Sequence, residues 1–196
     1  MNDFLNIQND WFHKKYFKKL KKRYFTFKIA LNFFLQYDWG AIVETGCIRQ
    51  KDDWGAGNST YILGDFCKRH GKHLYTVDNN QEHLDLARRE TSEFGPYIIY
   101  ELDDSVEYLK NFDSKIGFLY LDSLDCDPKP SSQNIQAQQH ALKEIKAAYD
   151  KLTPHAIVLI DDNLFVNQGK AKLVKKYLQR RDWTLLLDYK QSLWIR

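Results

Sequence analysis

Five short apolar runs in this chain each lead into acid. They are Ala41 to Val43 into Glu44, His73 to Val77 into Asp78, Tyr97 to Tyr100 into Glu101 with Asp103 and Asp104 next, Ile116 to Leu121 into Asp122, and Ala156 to Ile160 into Asp161 and Asp162. Runs this short and this continuous suit strands covered on both faces, and helical patterns separate most of them, which predicts a parallel open sheet. The first helix is expected to be capped near Asn58 to Thr60 and to end at Arg69-His70-Gly71. Asn80 opens a second through Leu84, Leu86 and Ala87, and Ser105 caps a third over Val106 to Asn111. A helix from Gln133 to Leu152 is stopped by Thr153-Pro154, and the last runs from Lys170 to Arg181. Trp183 to Leu187 and Gln191 to Ile195 are spaced like a hairpin. The fold class that follows is an α/β three-layer sandwich: a mostly parallel seven-stranded sheet with a C-terminal antiparallel hairpin and an N-terminal helical arm.

The arm differs from the rest in charge. Residues 1 to 28 hold eight Lys/Arg and two Asp, a net +6, while the remainder carries −3, so the overall +3 hides a mildly acidic body. Tyr16, Leu20, Tyr24, Phe27, Leu31 and Phe34 recur at steps of three and four, as on one helix face. Three readings compete: a helix packed on the sheet with lysines in water, an arm that attracts an anionic substrate or nucleic acid, and a membrane-surface helix. Phe17, Phe25 and Phe33 fall off the stripe, and a homodimer contact through this helix would cover them. The chain divides accordingly into a basic amphipathic arm, 1–38, and a body, 39–196. No apolar stretch is long enough to span a membrane, no secretory signal is visible, and Cys47, Cys67 and Cys126 are odd in number without C-x-x-C pairing, so a cytoplasmic protein with free thiols is expected.

Acids at the carboxyl ends of parallel strands line the crevice where such sheets take ligands. The first loop, Glu44-Thr45-Gly46-Cys47-Ile48-Arg49 with Gly55 and Gly57 later, is not G-x-G-x-x-G, and Glu44 would repel a pyrophosphate. A ligand with an ammonium, a sulfonium and a ribose suits carboxylates instead, which describes S-adenosyl-L-methionine. The set E-T-G-C, V-D, L-D-D-S, Y-L-D and I-D-D-N, in this order over residues 40 to 196, resembles the class I S-adenosylmethionine-dependent methyltransferases, with their Rossmann-like fold. The resemblance implies that Glu44 and Gly46 line the methionine end, that Asp78 binds ribose hydroxyls, and that Asp104 with Ser105 lies near the adenine. It adds Gly57, Ser59, Thr60 and Asp122 as cofactor contacts, although residues 50 to 54 interrupt the usual glycine spacing. Asp78 and Asp104 also have a plainer reading as helix caps.

Asp122, Asp162 and Asn163 offer hard oxygen ligands at neighbouring strand ends. This set resembles the metal-dependent O-methyltransferases, in which the matching positions hold Mg²⁺. The alternative is that 161 to 163 is only a turn. The lysine that the catechol group carries three residues past the first metal-binding aspartate is Asp125 here, which leaves Asp122, Asp125 and His140 as the catalytic candidates. The acceptor expected is a small molecule or glycan, methylated on oxygen. A non-catalytic Rossmann-like binding module and an RNA methyltransferase using the basic arm are the rivals, and the absence of an N-P-P-Y motif disfavours DNA amino-methylation.

Overall fold

The computed structural model describes residues 10–37, 40–55, 58–165 and 169–196. Five consecutive parallel strands, β1 (Ala41–Thr45), β2 (Leu74–Asp78), β3 (Ile98–Leu102), β4 (Ile116–Leu121) and β5 (Leu152–Ile160), join β6 (Thr184–Asp188) and β7 (Ser192–Ile195) in one sheet. Its order is β3-β2-β1-β4-β5-β7-β6. The C-terminal hairpin forms as expected, with β7 inserted antiparallel between β5 and β6. Strand order reverses between β1 and β4, so the crevice of an open α/β sheet lies at their carboxyl ends.

Helices α1 (Trp11–Leu20), α2 (Tyr24–Tyr37), α3 (Ser59–His70) and α4 (Gln81–Glu90) cover one face, and α5 (Ser105–Asn111), α6 (Ser132–Ala148) and α7 (Ala171–Gln179) cover the other. Local chemistry explains their ends. Asn80 caps α4 by accepting from the Glu82 N–H, and Gly71, at φ +62°, closes α3 in the left-handed conformation. Two boundaries depart from expectation. The cap of α5 is Asp104, whose Oδ1 accepts from the N–H groups of Val106 and Glu107, while the Ser105 hydroxyl turns to Glu144 and His140. Helix α6 stops at Ala148, and Thr153-Pro154 lies inside β5. Pairing jumps there from Ile116–Leu152 to Phe118–Ile157, and Pro154 sits exposed in the resulting bulge, where its missing N–H costs no ladder bond.

The arm folds as two helices joined by a 3₁₀ turn, Lys21–Arg23, with Lys21 at φ 48°. All six residues of its aromatic stripe are buried, in one core with Ile42, Phe118, Tyr120, Ile157 and Leu159 of the sheet. Phe17, Phe25, Ile29 and Leu35 remain exposed on its outer side. One core therefore holds side chains from both sides of the 38/39 division. No helix among the described residues is long and apolar enough to cross a membrane.

Candidate active site

Backbone bonds line up the strand ends. Gly46 N–H donates to Val77 O at 2.8 Å, Asp122 N–H to Thr45 O at 3.0 Å, and Asp161 N–H to Leu121 O at 3.2 Å. The acids that follow these strands thereby share one edge. Gly46, at φ +82°, makes the turn out of β1, and a Cβ on it would stand 2.6 Å from the Asp122 carbonyl oxygen. Two cavities meet at Gly46. A narrow recess of about 60 Å³ is lined by Asp78, Asp104, Ser105 and His140 among others, and an open cleft of about 570 Å³ bears Ser59, Asp122, Asp125 and Asp162. The cleft alone is in the size range of small-molecule sites.

In the recess, Asp78 Oδ1 accepts from the Asn80 N–H at 2.9 Å and lies 3.3 Å from His83 Nδ1, while among the described residues Oδ2 has only the Cys47 thiol, at 3.5 Å. His140 lines this recess and not the cleft. Its Nε2 is 3.0 Å from Ser105 Oγ and 3.3 Å from Glu144 Oε1, and the hydrogen bond to Glu144, working against burial, holds its pKa above the ordinary imidazole value. Of the three catalytic candidates, His140 thus lines a different cavity from Asp122 and Asp125.

Glu44, near the end of β1, is fully buried. Thr76 Oγ1 donates to its Oε2 at 2.8 Å, and Oε1 has no hydrogen-bond partner. Burial pushes its carboxyl up to about 7, against the pull of the Ser59, Thr76 and Thr60 hydroxyls. Glu44 lines neither cavity itself; Asp78 lines the recess, and its weakly partnered Oδ2 suits the ribose hydroxyls of the cofactor that the resemblance implies. Thr60 ties the first loop to α3 by accepting from the Ile48 N–H at 3.2 Å. Gly57 lies outside the described residues.

The acids after β4 and β5 are all paired. Lys170 Nζ is 2.6 Å from Asp122 Oδ1 and 3.5 Å from Asp162 Oδ2, and Lys190 Nζ is 3.0 Å from Asp162 Oδ1. Arg23 Nε donates to both oxygens of Asp161, at 2.8 and 3.0 Å, and its Nη1 donates to Gly55 O at 2.7 Å. Asn163 Nδ2 donates to Asp188 Oδ1 and Tyr189 O, holding the turn between β6 and β7. Asp125 forms a two-bond pair with Arg49, at 2.6 and 2.8 Å. The expected Mg²⁺ set of Asp122, Asp162 and Asn163 does not fit a divalent ion, because an ammonium already stands between the two carboxylates; Asn163 Nδ2 serves the hairpin, and its Oδ1 is buried without a partner among the described residues. No cluster of three or more His, Cys, Asp or Glu able to hold a metal occurs among the described residues.

A family model described as a methyltransferase domain matches residues 54–163, more than half of the chain. The chain belongs to the class I S-adenosylmethionine-dependent methyltransferases. Solved methyltransferases share its fold. The O-methyltransferase NovP superposes with a TM-score of 0.62 at 14% identity, covering 89% of this chain and 79% of that one. A candidate methyltransferase from Streptococcus mutans in complex with SAH gives 0.58 at 15%, covering 87% and 97%. An rRNA methylase from Streptococcus thermophilus gives 0.54 at 16%, covering 87% and 94%. No curated protein matches by sequence.

Three groups of this methyltransferase's site have no expected role in the sequence, although Tyr120 opens the Y-L-D set. Arg23 reads as one more cation of a basic helix, yet it is buried against Asp161 and borders the cleft. Tyr120, hidden in an apolar strand, donates to Asp161 Oδ2 at 3.0 Å and accepts from Gln191 Nε2 at 3.0 Å. Gln191 also accepts from Thr26 Oγ1, so arm, β4 and hairpin are joined by one chain of bonds. Lys170 reads as a solvated lysine at a helix start and is 1% exposed. The only sequence signal for it is the preceding Gly169.

Proposed function

We propose that this methyltransferase moves the methyl of S-adenosylmethionine to an oxygen of a small molecule or glycan. The observation that carries the reading is the meeting, at Gly46, of a recess bearing Asp78 and Asp104 with a cleft bearing Asp122. When bound, S-adenosylmethionine supplies an activated methyl on a cationic sulfur. Asp78 holds the ribose hydroxyls through Oδ2, which has no partner stronger than a thiol. Glu44 offers its unpaired oxygen to the positive methionine end, with Ser59 and Thr60 beside it. Ser105 and His140 close the nucleoside side.

On the acceptor side the protein must align a nucleophile and take one proton. Asp122 is the group we assign to that proton: burial raises its pKa well above the ordinary carboxylate value, Lys170 opposes this, and the neighbouring Asp161 and Asp162 add to it. Asp125 is less suited, since Arg49 already occupies both of its oxygens. The arm's charges are only partly engaged, since Lys14, Lys18, Lys21 and Lys22 are exposed. Lys15 and Lys28 pair with Asp65 and Asp10, Lys19 sits over the Trp54 ring, and Arg23 is buried.

Titration calorimetry with S-adenosylhomocysteine tests the cofactor half. Binding by the wild type is expected, and Asp78→Ala should weaken it about 10- to 100-fold, as loss of a charged hydrogen bond does. Equal affinity in a folded Asp78→Ala protein would remove that assignment. For the acceptor, methyl-labelled S-adenosylmethionine offered with hydroxylated aromatics, sugars and RNA should label the hydroxyl compounds; label confined to RNA would refute the reading.

A further inference from the structure

The three carboxylates after β4 and β5 face three cations drawn from elsewhere in the chain, and the tightest of these contacts is built by backbone. Gly169 has φ +51°, and a Cβ on it would lie 1.6 Å from the Asp162 carbonyl oxygen, so the segment bearing Lys170 closes directly onto the turn that bears Asp162. Asp162 itself has φ 52°, a left-handed conformation held by that packing. The outcome is a buried ammonium 2.6 Å from Asp122 Oδ1 and 3.5 Å from Asp162 Oδ2.

We propose that Lys170 is the built-in cation of this site: its ammonium takes the seat between Asp122 and Asp162 that a divalent ion would need, and it aims the Asp122 carboxylate into the cleft. The inference concerns the transfer site of the proposed function, and its ion test does not depend on that function. Its ground is that the facing carboxylate oxygens are already engaged by Lys170, at Asp122 Oδ1 and Asp162 Oδ2, although Asn163 Oδ1 is buried without a hydrogen-bond partner among the described residues. Each close carboxylate contact is a charge-assisted bond, Lys190 holds the far oxygen of Asp162, and Arg23 balances Asp161. A divalent ion entering this set would have to expel a lysine that is 1% exposed and leave its charge buried. Lys170 is thereby a positioning residue, acting on the reaction through Asp122.

The test is Mn²⁺ binding to the full chain near neutral pH, followed by the electron paramagnetic resonance signal of the free ion, with circular dichroism as the check of folding. The wild type should leave Mn²⁺ free. Lys170→Ala should bind the ion at least ten times more tightly, and adding Asp122→Asn should abolish the gain, a pattern that a merely structural lysine would not produce. Wild-type binding in the micromolar range that Asp122→Asn removes would overturn the proposal. So would a folded Lys170→Ala protein with no gain. If Lys170→Ala does not fold, the wild-type titration with Asp122→Asn decides alone: binding removed by that change refutes the built-in cation, and Mn²⁺ left free supports it.

Discussion

Glu44 is a buried acid with hydroxyls around it, and that makes it sensitive to pH. Thr76 from β2 and Ser59 and Thr60 from α3 favour its charged form, while Asp78 and, above all, burial disfavour it. Its folded pKa of about 7 lies above the ordinary 4.5, so the folded chain keeps a proton that the unfolded chain has lost. The stabilisation is full below pH 4.5 and is lost as pH rises towards 7, by roughly 3 kcal/mol over the interval. Glu44→Gln should therefore flatten the urea midpoint across this range; an unaltered pH profile would exclude Glu44 as its source. Gly169 is sensitive in another way. Gly169→Ala puts a Cβ into the Asp162 carbonyl at an unfavourable φ and should cost about 3 kcal/mol or more by urea unfolding. In the sequence Gly169-Lys170 reads only as a helix start, because nothing local says that this turn closes on residue 162.

At the scale of elements, the break between α1 and α2 has the largest consequence. A continuous helix would present its stripe equally well, and the periodicity of Tyr16 to Phe34 gives no sign of the interruption. The 3₁₀ turn at Lys21–Arg23 keeps the stripe buried and turns Arg23 to Asp161, with side-chain exposures of 8% and 1%. Arg23→Met should cost about 3 to 5 kcal/mol, because it strands a buried carboxylate. Arg23→Met combined with Asp161→Leu should recover most of that loss, and a double variant no better than the single one would show that Arg23 acts through something else. The strands were legible because their runs are apolar on both faces, and the start of α4 and the end of α3 because Asn80 and Gly71 cap them locally. The α6–β5 boundary was not, since Thr153-Pro154 reads as a helix stop, and only the register with β4 reveals a bulge able to take the proline.

For the molecule as a whole, the arm is part of the core. Removing residues 1–37 would bare the sheet face formed by Ile42, Phe118, Tyr120, Ile157 and Leu159 and unpair Asp161. The truncated chain should lose its near-ultraviolet circular dichroism and bind a hydrophobic dye; a native-like spectrum would mean that the arm is dispensable to the fold. The sequence by itself determined the succession of strands and helices, the edge at which the acids gather and the family, because short apolar runs and the acids that follow them are local patterns. What only the tertiary structure decided is how that edge is charged. Its counter-cations come from 138, 48 and 28 residues away, Arg23 to Asp161, Lys170 to Asp122 and Lys190 to Asp162. Pairing over such separations is fixed by how the chain closes on itself, which no local pattern of residues encodes.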